Sequence, residues 1–127
     1  MKEIALDQTA CDKKVVLILI PYPMTRENLR PTEEEVLKRC LEVRSKSFLP
    51  LAPCLMGLRY FTEVTEGREY VRELTLTFIS RKSVDEVWLC GQSMSQHEWE
   101  EVHVAKERNI LVILKGDGIV EDKRFFP

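Results

Sequence analysis

The chain has 127 residues, of which 44% are hydrophobic and 31% are charged, and its 19 basic and 21 acidic residues leave a net charge of −2. This size and composition fit a single soluble domain with a core of its own. The lack of a basic excess argues against a nucleic-acid partner, and the longest apolar run, residues 15–20, is too short to span a bilayer. Because the first residues lack the apolar stretch of a signal peptide, we expect a cytoplasmic protein without a membrane partner.

The first third of the chain predicts an arm, a strand and a loop. We expect residues 1–14 to form a flexible N-terminal arm and residues 15–127 to form one α/β domain. The β-branched run 15–20 has no polar alternation, which predicts a strand buried on both faces. The loop that follows begins at Pro21 and lies at the C-terminal end of this strand, where α/β proteins place functional groups.

A helix is predicted after this loop. Thr32 and Glu35 can form a capping box at its start, and the pattern extends to about Ser45. Its core-facing stripe is expected to contain Val36, Leu37, Cys40, Leu41 and Val43.

The middle of the chain predicts a weak strand, a long connection and a second helix. Residues 47–52 form the strand, and Pro50 assigns it to a sheet edge. Residues 53–67 hold two glycines, and a connection of that length in a small domain predicts a lid or a binding loop. A helix over residues 68–82 and a strand over residues 85–90 follow.

The last third predicts one more helix and one more strand. A turn over residues 91–94 leads into a helix over residues 96–108, and Ser95 and Glu98 can form its capping box. A strand over residues 110–114 follows.

The order of these elements predicts the fold. Each strand is followed by a helix that crosses to the next strand, which favours parallel strands with right-handed connections. We therefore expect an α/β fold, a small flavodoxin-like or Rossmann-like three-layer sandwich with a parallel sheet of about four strands. Neither GxGxxG nor GxxxxGK[ST] follows a strand, which argues against dinucleotide binding and against a P-loop.

The cysteines and histidines predict neither a metal site nor a cofactor. The four cysteines are separated by 29, 14 and 36 residues, which does not match zinc-binding spacing and favours buried thiols over disulfides. His97 and His103 are six residues apart, whereas the zincin motif needs four. His97 and Glu101 have the four-residue spacing of two metal ligands, but one such pair is a weak signal.

One glutamate of the last predicted helix, Glu101, lies among apolar residues instead of on the solvent-exposed side. At about 100° per residue, Glu101 falls inside an apolar arc, whereas Glu100, His103 and Glu107 fall on the solvent side. Two interpretations stay open. Glu101 projects into a pocket at the C-terminal edge of the sheet, or it is a boundary glutamate that pairs with a base such as Arg108.

The same segment resembles a known group of enzymes. The strand over residues 85–88, followed by Gly91, Ser95, Glu101 and Ala105, resembles the strand, turn and helix of the nucleoside 2-deoxyribosyltransferase-like superfamily. The likeness is closest to small bacterial and phage members and to the relatives that hydrolyse nucleoside monophosphates.

The first half of the chain resembles this superfamily more loosely. Residues 20–22 resemble the Gly-Pro-Tyr that ends its first strand, and Asn28 stands where an asparagine often precedes the first helix. Residues 49–54 resemble its P-x-A-P-H segment. The whole resemblance covers about residues 15–114.

The resemblance implies an attack at C1′ of a nucleoside or nucleotide with retention of configuration. Glu101 matches the nucleophile, which forms a glycosyl-enzyme ester. Ser95 matches a serine in the relatives that hydrolyse nucleoside 5′-monophosphates, and a serine at a helix start suits phosphate better than the aspartate of the nucleoside transferases. The other substrate-binding residues implied are Tyr22, Asn28, Cys54, Gly91, Ser93, His97 and Glu98.

Departures from the family pattern keep other functions open. His97 and His103 stand where the family has glycine, Cys54 stands where it has histidine, and Glu98 adds a negative charge beside the expected phosphate. These changes fit a lost catalytic function, and they equally fit a changed ligand with His97 as a phosphate contact or general acid.

Three hypotheses follow. The first is an N-glycosidase or deoxyribosyltransferase that acts on a nucleotide or nucleoside. The second is a catalytically degenerate module that binds such a ligand, and the third is an interaction protein that has kept the fold alone. The apolar residues of the tail could pack against another subunit of a homo-oligomer or cover the edge of the protein's own sheet. These residues are Ile119, Val120, Phe125 and Phe126.

Overall fold

A single mixed sheet forms the centre of the molecule. The structure is a computed structural model that describes residues 12–20, 31–90, 96–115 and 123–125, with the backbone alone at 96–98 and 123–125. In these ranges five strands pair in the order β2-β1-β3-β4-β5. The strands are β1 (Val15–Leu19), β2 (Leu49–Leu51), β3 (Glu86–Cys90), β4 (Leu111–Lys115) and β5 (Lys123–Phe125).

The first four strands are parallel, and β5 is antiparallel to β4. The predicted parallel sheet of about four strands is confirmed, and its order is that of flavodoxin-like doubly wound folds. The short fifth strand was not predicted. Its backbone pairs Phe125 with Val112 of the same chain, so this part of the tail lies on the protein's own sheet edge. Ile119, Val120 and Phe126 lie outside the described residues.

Helices cover both faces of the sheet. The described ranges contain α1 (Glu33–Ser45), α2 (Pro53–Tyr60), α3 (Val64–Ser80) and α4 (Gln96–Glu107). Core residues of α3 and α4 pack with Leu17, Leu19 and Val87 on one face, whereas Val43 of α1 packs with Trp88 on the other. The three-layer sandwich is therefore confirmed.

The direction of the chain explains why the helices divide in this way. The connection from β1 to β2 runs towards one edge of the sheet, and the connections from β2 to β3 and from β3 to β4 run towards the other. Because right-handed crossovers place their helices according to this direction, α1 lies on one face and α3 and α4 lie on the other. The strand order therefore reverses between β1 and β3.

The start of α1 agrees with its sequence signal, but its predicted apolar stripe was partly wrong. The backbone N–H of Glu35 donates to Thr32 Oγ1 at 3.1 Å, and the N–H of Thr32 donates to Glu35 Oε1 at 2.8 Å, which confirms the capping box. Val36 is buried against the core, whereas Leu37 and Leu41 are 47% and 70% exposed. These two leucines lie about 100° and 140° around the helix from Val36, beyond the buried arc.

The predicted lid over residues 53–67 was wrong, because this segment forms α2 and the first turn of α3. Pro53 occupies the first turn of α2, where its missing N–H costs nothing. Gly57 and Gly67 indicated a loop in the sequence, but both are buried within helices. A glycine on the buried face of a helix allows close packing, and the sequence pattern alone does not distinguish this use from a turn.

The end of α4 is fixed by a left-handed residue. Asn109 has a φ of 60°, and the N–H of Ile110 donates to the carbonyl of Ala105 at 2.9 Å. This arrangement is a common helix C-terminal motif and directs the chain into β4. No helix in the described ranges is both long enough and apolar enough to cross a membrane.

Replacing the cap of α1 tests how much local sequence stabilises the fold. We expect Thr32→Ala to lower the free energy of unfolding by about 1 kcal/mol, because the N–H of Glu35 loses its acceptor. Urea unfolding measures this change. Thr62→Ala is the control, since Thr62 is exposed outside a helix, and it should change the free energy by less than about 0.5 kcal/mol. Equal effects of the two substitutions would contradict the capping role.

Candidate functional site

The reversal of strand order defines where a ligand site is expected. In open α/β sheets, ligands bind in the crevice at the carboxyl ends of the two strands where the order reverses. Here these are β1 and β3, which pair in parallel with Leu19 opposite Leu89. The segment after β3 leads into the N-terminus of α4, so α4 begins at this crevice.

Glu101 lies on the second turn of α4 and is buried. Its residue exposure is 2%, and Val102 and Ala105 of the same arc are equally enclosed. Glu100 beside it has a 47% exposed side chain, and His103 has a 71% exposed side chain. The prediction that Glu101 lies inside the apolar arc of the helix is therefore confirmed, whereas its projection into a pocket stays a prediction. Because α4 begins at the crevice, the buried carboxylate of Glu101 is the main candidate for a catalytic group.

An ion pair connects α3 and α4 beside this carboxylate. Arg72 Nη2 of α3 lies 2.6 Å from Glu100 Oε1 of α4. Arg68 lies four residues before Arg72, one turn earlier on the same side of α3. Neither arginine was predicted as a site residue. Their i, i+4 spacing was visible in the sequence, but only tertiary packing shows which helix they face.

A third polar side chain of α3 lies close to this flank. Thr75 is fully buried, and its hydroxyl makes no hydrogen bond in the described part of the chain. It lies three residues after Arg72, which places it on an adjacent turn. Buried hydroxyl groups without a hydrogen-bond partner are rare, so the Thr75 hydroxyl is an unusual polar group on the buried side of α3.

Cys54 lies at the start of α2 and packs with Val36, Leu58 and Val71. Its residue exposure is 1%. The pKa of the Cys54 thiol is raised from its usual 9.0 to about 12, chiefly by burial and to a smaller extent by the nearby Cys40 and Cys90 thiols, while hydrogen bonds from the backbone N–H groups of Cys54 and Ile20 partly offset the rise. The structure therefore brings Cys54 to the end of β1, but as a neutral thiol that is a poor nucleophile and base.

The remaining predicted site residues lie outside the described part of the chain, so their roles stay predictions. Tyr22, Asn28, Gly91, Ser93 and Ser95 belong to segments that the structure does not describe. His97 and Glu98 lie in the first turn of α4 by their backbone. Their side chains are not described, and the second capping box is therefore untested.

No group of three or more histidine, cysteine, aspartate or glutamate side chains is arranged to hold a metal ion within the described ranges. Cys40, Cys54 and Cys90 form no disulfide within the described residues. His103 Nε2 lies 3.2 Å from Glu107 Oε2 on the exposed side of α4, which is a surface contact.

Comparison of the chain with models of protein families, with curated proteins and with solved structures finds no match. The structure itself describes a doubly wound α/β domain with a buried carboxylate on the helix that begins at its crevice. The likeness to nucleoside 2-deoxyribosyltransferases stays a prediction from the sequence.

The raised pKa of Cys54 predicts how stability changes at alkaline pH. Between pH 9 and about 12 the unfolded thiol loses its proton while the folded thiol keeps it, so the free energy of unfolding falls with rising pH. We expect Cys54 to contribute about 1.4 kcal/mol per pH unit to this slope. Urea unfolding from pH 8.5 to pH 10.5 should show a shallower decline for Cys54→Ala than for the natural sequence. Parallel declines would contradict the burial of the thiol.

The ion pair between α3 and α4 predicts a measurable coupling. Because both side chains are partly exposed, we expect a coupling free energy of about 0.2–1 kcal/mol between Arg72→Ala and Glu100→Ala in a double-mutant cycle. The coupling should shrink in 1 M salt. The control cycle pairs Arg72→Ala with Glu107→Ala, which is on the same helix but is paired with His103. If the two cycles give equal values, the ion pair does not join these helices in solution.

Proposed function

We propose that the protein is an N-glycosidase or deoxyribosyltransferase that uses Glu101 to cleave the bond between base and sugar of a nucleotide or nucleoside. The burial of Glu101 is the observation that carries the proposal. Glu101 is 2% exposed and lies in the same arc of α4 as Val102 and Ala105, which are also buried. Its position on the helix that begins at the crevice fits a catalytic role.

The chemistry suits a carboxylate in this position. A Glu101 carboxylate oxygen would form a bond to C1′ while the bond from C1′ to the base nitrogen breaks, and the base would leave with the electron pair and take up a proton. Water would then hydrolyse the glycosyl ester, releasing the sugar and restoring the carboxylate. In a transferase, a second base would take the place of the water. Both carboxylate oxygens stabilise the positive charge that develops on the sugar.

A nucleotide is favoured over a nucleoside on two grounds. The sequence places Ser95 immediately before α4, and the N–H groups of the first turn of a helix attract phosphate. Arg72 of α3 lies 2.6 Å from Glu100 of α4, so its guanidinium places a positive charge beside this helix. Arginine is well suited to phosphate because its planar group can donate two parallel hydrogen bonds.

Release of free base from a panel of nucleosides and their 5′-monophosphates tests the proposal. We expect release from at least one deoxyribo- or ribonucleotide, and we expect Glu101→Gln to reduce the rate at least about 1000-fold, because the amide is a poor nucleophile. Chromatography of the released base measures the rate. Glu107→Gln is the matched control, since it makes the same change on an exposed part of α4, and its rate should stay within about twofold.

Two outcomes would contradict this function. One is a Glu101→Gln protein that is folded and still releases base at the natural rate, which would exclude Glu101 as nucleophile. The other is the absence of release from every member of the panel, which would exclude the glycosidase activity. A second base added to the reaction distinguishes a transferase from a hydrolase, because only a transferase makes the exchanged nucleoside.

Cys54 favours a second candidate, a module that binds a nucleotide without cleaving it. The resembled enzymes have histidine at this position, and histidine can exchange protons near neutral pH. The Cys54 thiol, with a pKa of about 12, cannot do so. Saturable stabilisation of the protein against heat by one panel member, without base release, would support this candidate.

A further inference from the structure

The exposed face of α1 carries two large apolar side chains that are not buried in the core. Leu37 and Leu41 are 47% and 70% exposed, although Val36 and Val43 of the same helix are fully buried. The two leucines are four residues apart, so they are neighbours on successive turns. Together they form an apolar patch at the middle of the outer side of α1.

Charged residues flank this patch in a symmetric way. Glu34 lies three residues before Leu37, and Arg44 lies three residues after Leu41. All four residues are exposed and follow one stripe with spacings of three, four and three. Glu34 makes no ion pair within the described part of the chain, and Arg44 Nη1 donates to the carbonyl of Phe48 at 3.3 Å. We define this set of four residues as the α1 stripe.

The α1 stripe is complementary to a reversed copy of itself. If two α1 helices lie antiparallel about a twofold axis near residue 39, Leu37 of each copy meets Leu41 of the other. In the same arrangement Glu34 of each copy meets Arg44 of the other. We propose that this stripe is the contact through which two copies of the protein associate as an antiparallel, twofold-symmetric pair.

Three physical arguments support a second copy as the occupant. A twofold contact requires a surface that complements itself, and the order acid, apolar, apolar, base fulfils this requirement. Spacings of three and four residues are those of helices that pack along a common seam. The antiparallel arrangement also places the negative first turn, Glu33 to Glu35, beside the positively charged last turn of the other copy.

The size of the stripe predicts a weak association. A helix of 13 residues is about 20 Å long, so one helix seam buries less surface than the roughly 1,600 Å² of a standard protein interface. The pairing should therefore depend on protein concentration. It should also weaken as salt increases, because both ion pairs lie at the rim of the contact.

Sedimentation equilibrium of the full chain from about 10 μM to about 1 mM tests the pairing. We expect the mean mass to rise from that of the monomer towards twice that value. The double variant Leu37→Ser/Leu41→Ser should stay monomeric over the range. Glu69→Arg, a charge reversal on an exposed residue of α3, is the control and should associate like the natural sequence.

Charge reversals test the antiparallel register. Glu34→Arg or Arg44→Glu alone places like charges opposite each other at two positions, and we expect each to raise the dissociation constant at least about tenfold. The combined variant Glu34→Arg/Arg44→Glu restores opposite charges and should return the constant to within about threefold of the natural value. Circular dichroism checks that each variant is folded.

Several results would overturn the proposal. A natural chain that stays monomeric to 1 mM excludes the pairing, and a dimer that survives Leu37→Ser/Leu41→Ser shows that another surface holds it. Failure of the combined charge swap to restore an association that the single reversals weaken excludes the antiparallel register. The test is independent of catalysis, because the α1 stripe is on the opposite face of the sheet from α4.

Discussion

The parallel pairing of β1 with β3 is the constraint on which the rest of the structure depends. Residues 16–19 and 86–90 are buried throughout, so both strands need cover on both faces. At the amino-terminal end of the two strands, the N–H of Val15 donates to Asp85 Oδ2 at 2.7 Å. These contacts fix the register, and the register sets which residues follow at the carboxyl ends. With right-handed crossovers, the same pairing makes the strand order reverse here and places α4 at the crevice.

The two buried glutamates, Glu86 and Glu101, have different surroundings, and these indicate different roles. Glu86 at the start of β3 accepts hydrogen bonds from Lys14 Nζ at 2.9 Å and from Trp88 Nε1 at 3.1 Å. This glutamate has a structural role, because its partners join the residue before β1 to β3. Glu101 lies behind the carboxyl ends of the strands, where the fold places ligands. Position in the fold, more than burial alone, is therefore what makes Glu101 the functional candidate.

The sequence predicted those features that local physics determines. The apolar runs of β1 and β3 and the capping box at Thr32 can be recognised from neighbouring residues alone. The apolar arc of α4 likewise predicted that Glu101 is buried. The errors arose where tertiary packing decides. Residues 53–67 are largely helical, with Gly57 and Gly67 buried in helices instead of forming turns. Leu37 is exposed because the sheet covers a narrower arc of α1 than the apolar pattern suggests. The contact of Arg72 with α4 joins residues 28 apart, which no local pattern reveals.

The proposed mechanism requires that Glu101 becomes covalently attached to a sugar. Mass spectrometry of the peptide that contains Glu101, after acid quenching of a reaction with the preferred nucleotide, tests this claim most directly. We expect a peptide heavier by the mass of the sugar phosphate less one water, with the added mass located on Glu101 and absent from the Glu101→Gln protein. Release of base while Glu101 stays unmodified and another side chain carries the sugar would contradict it.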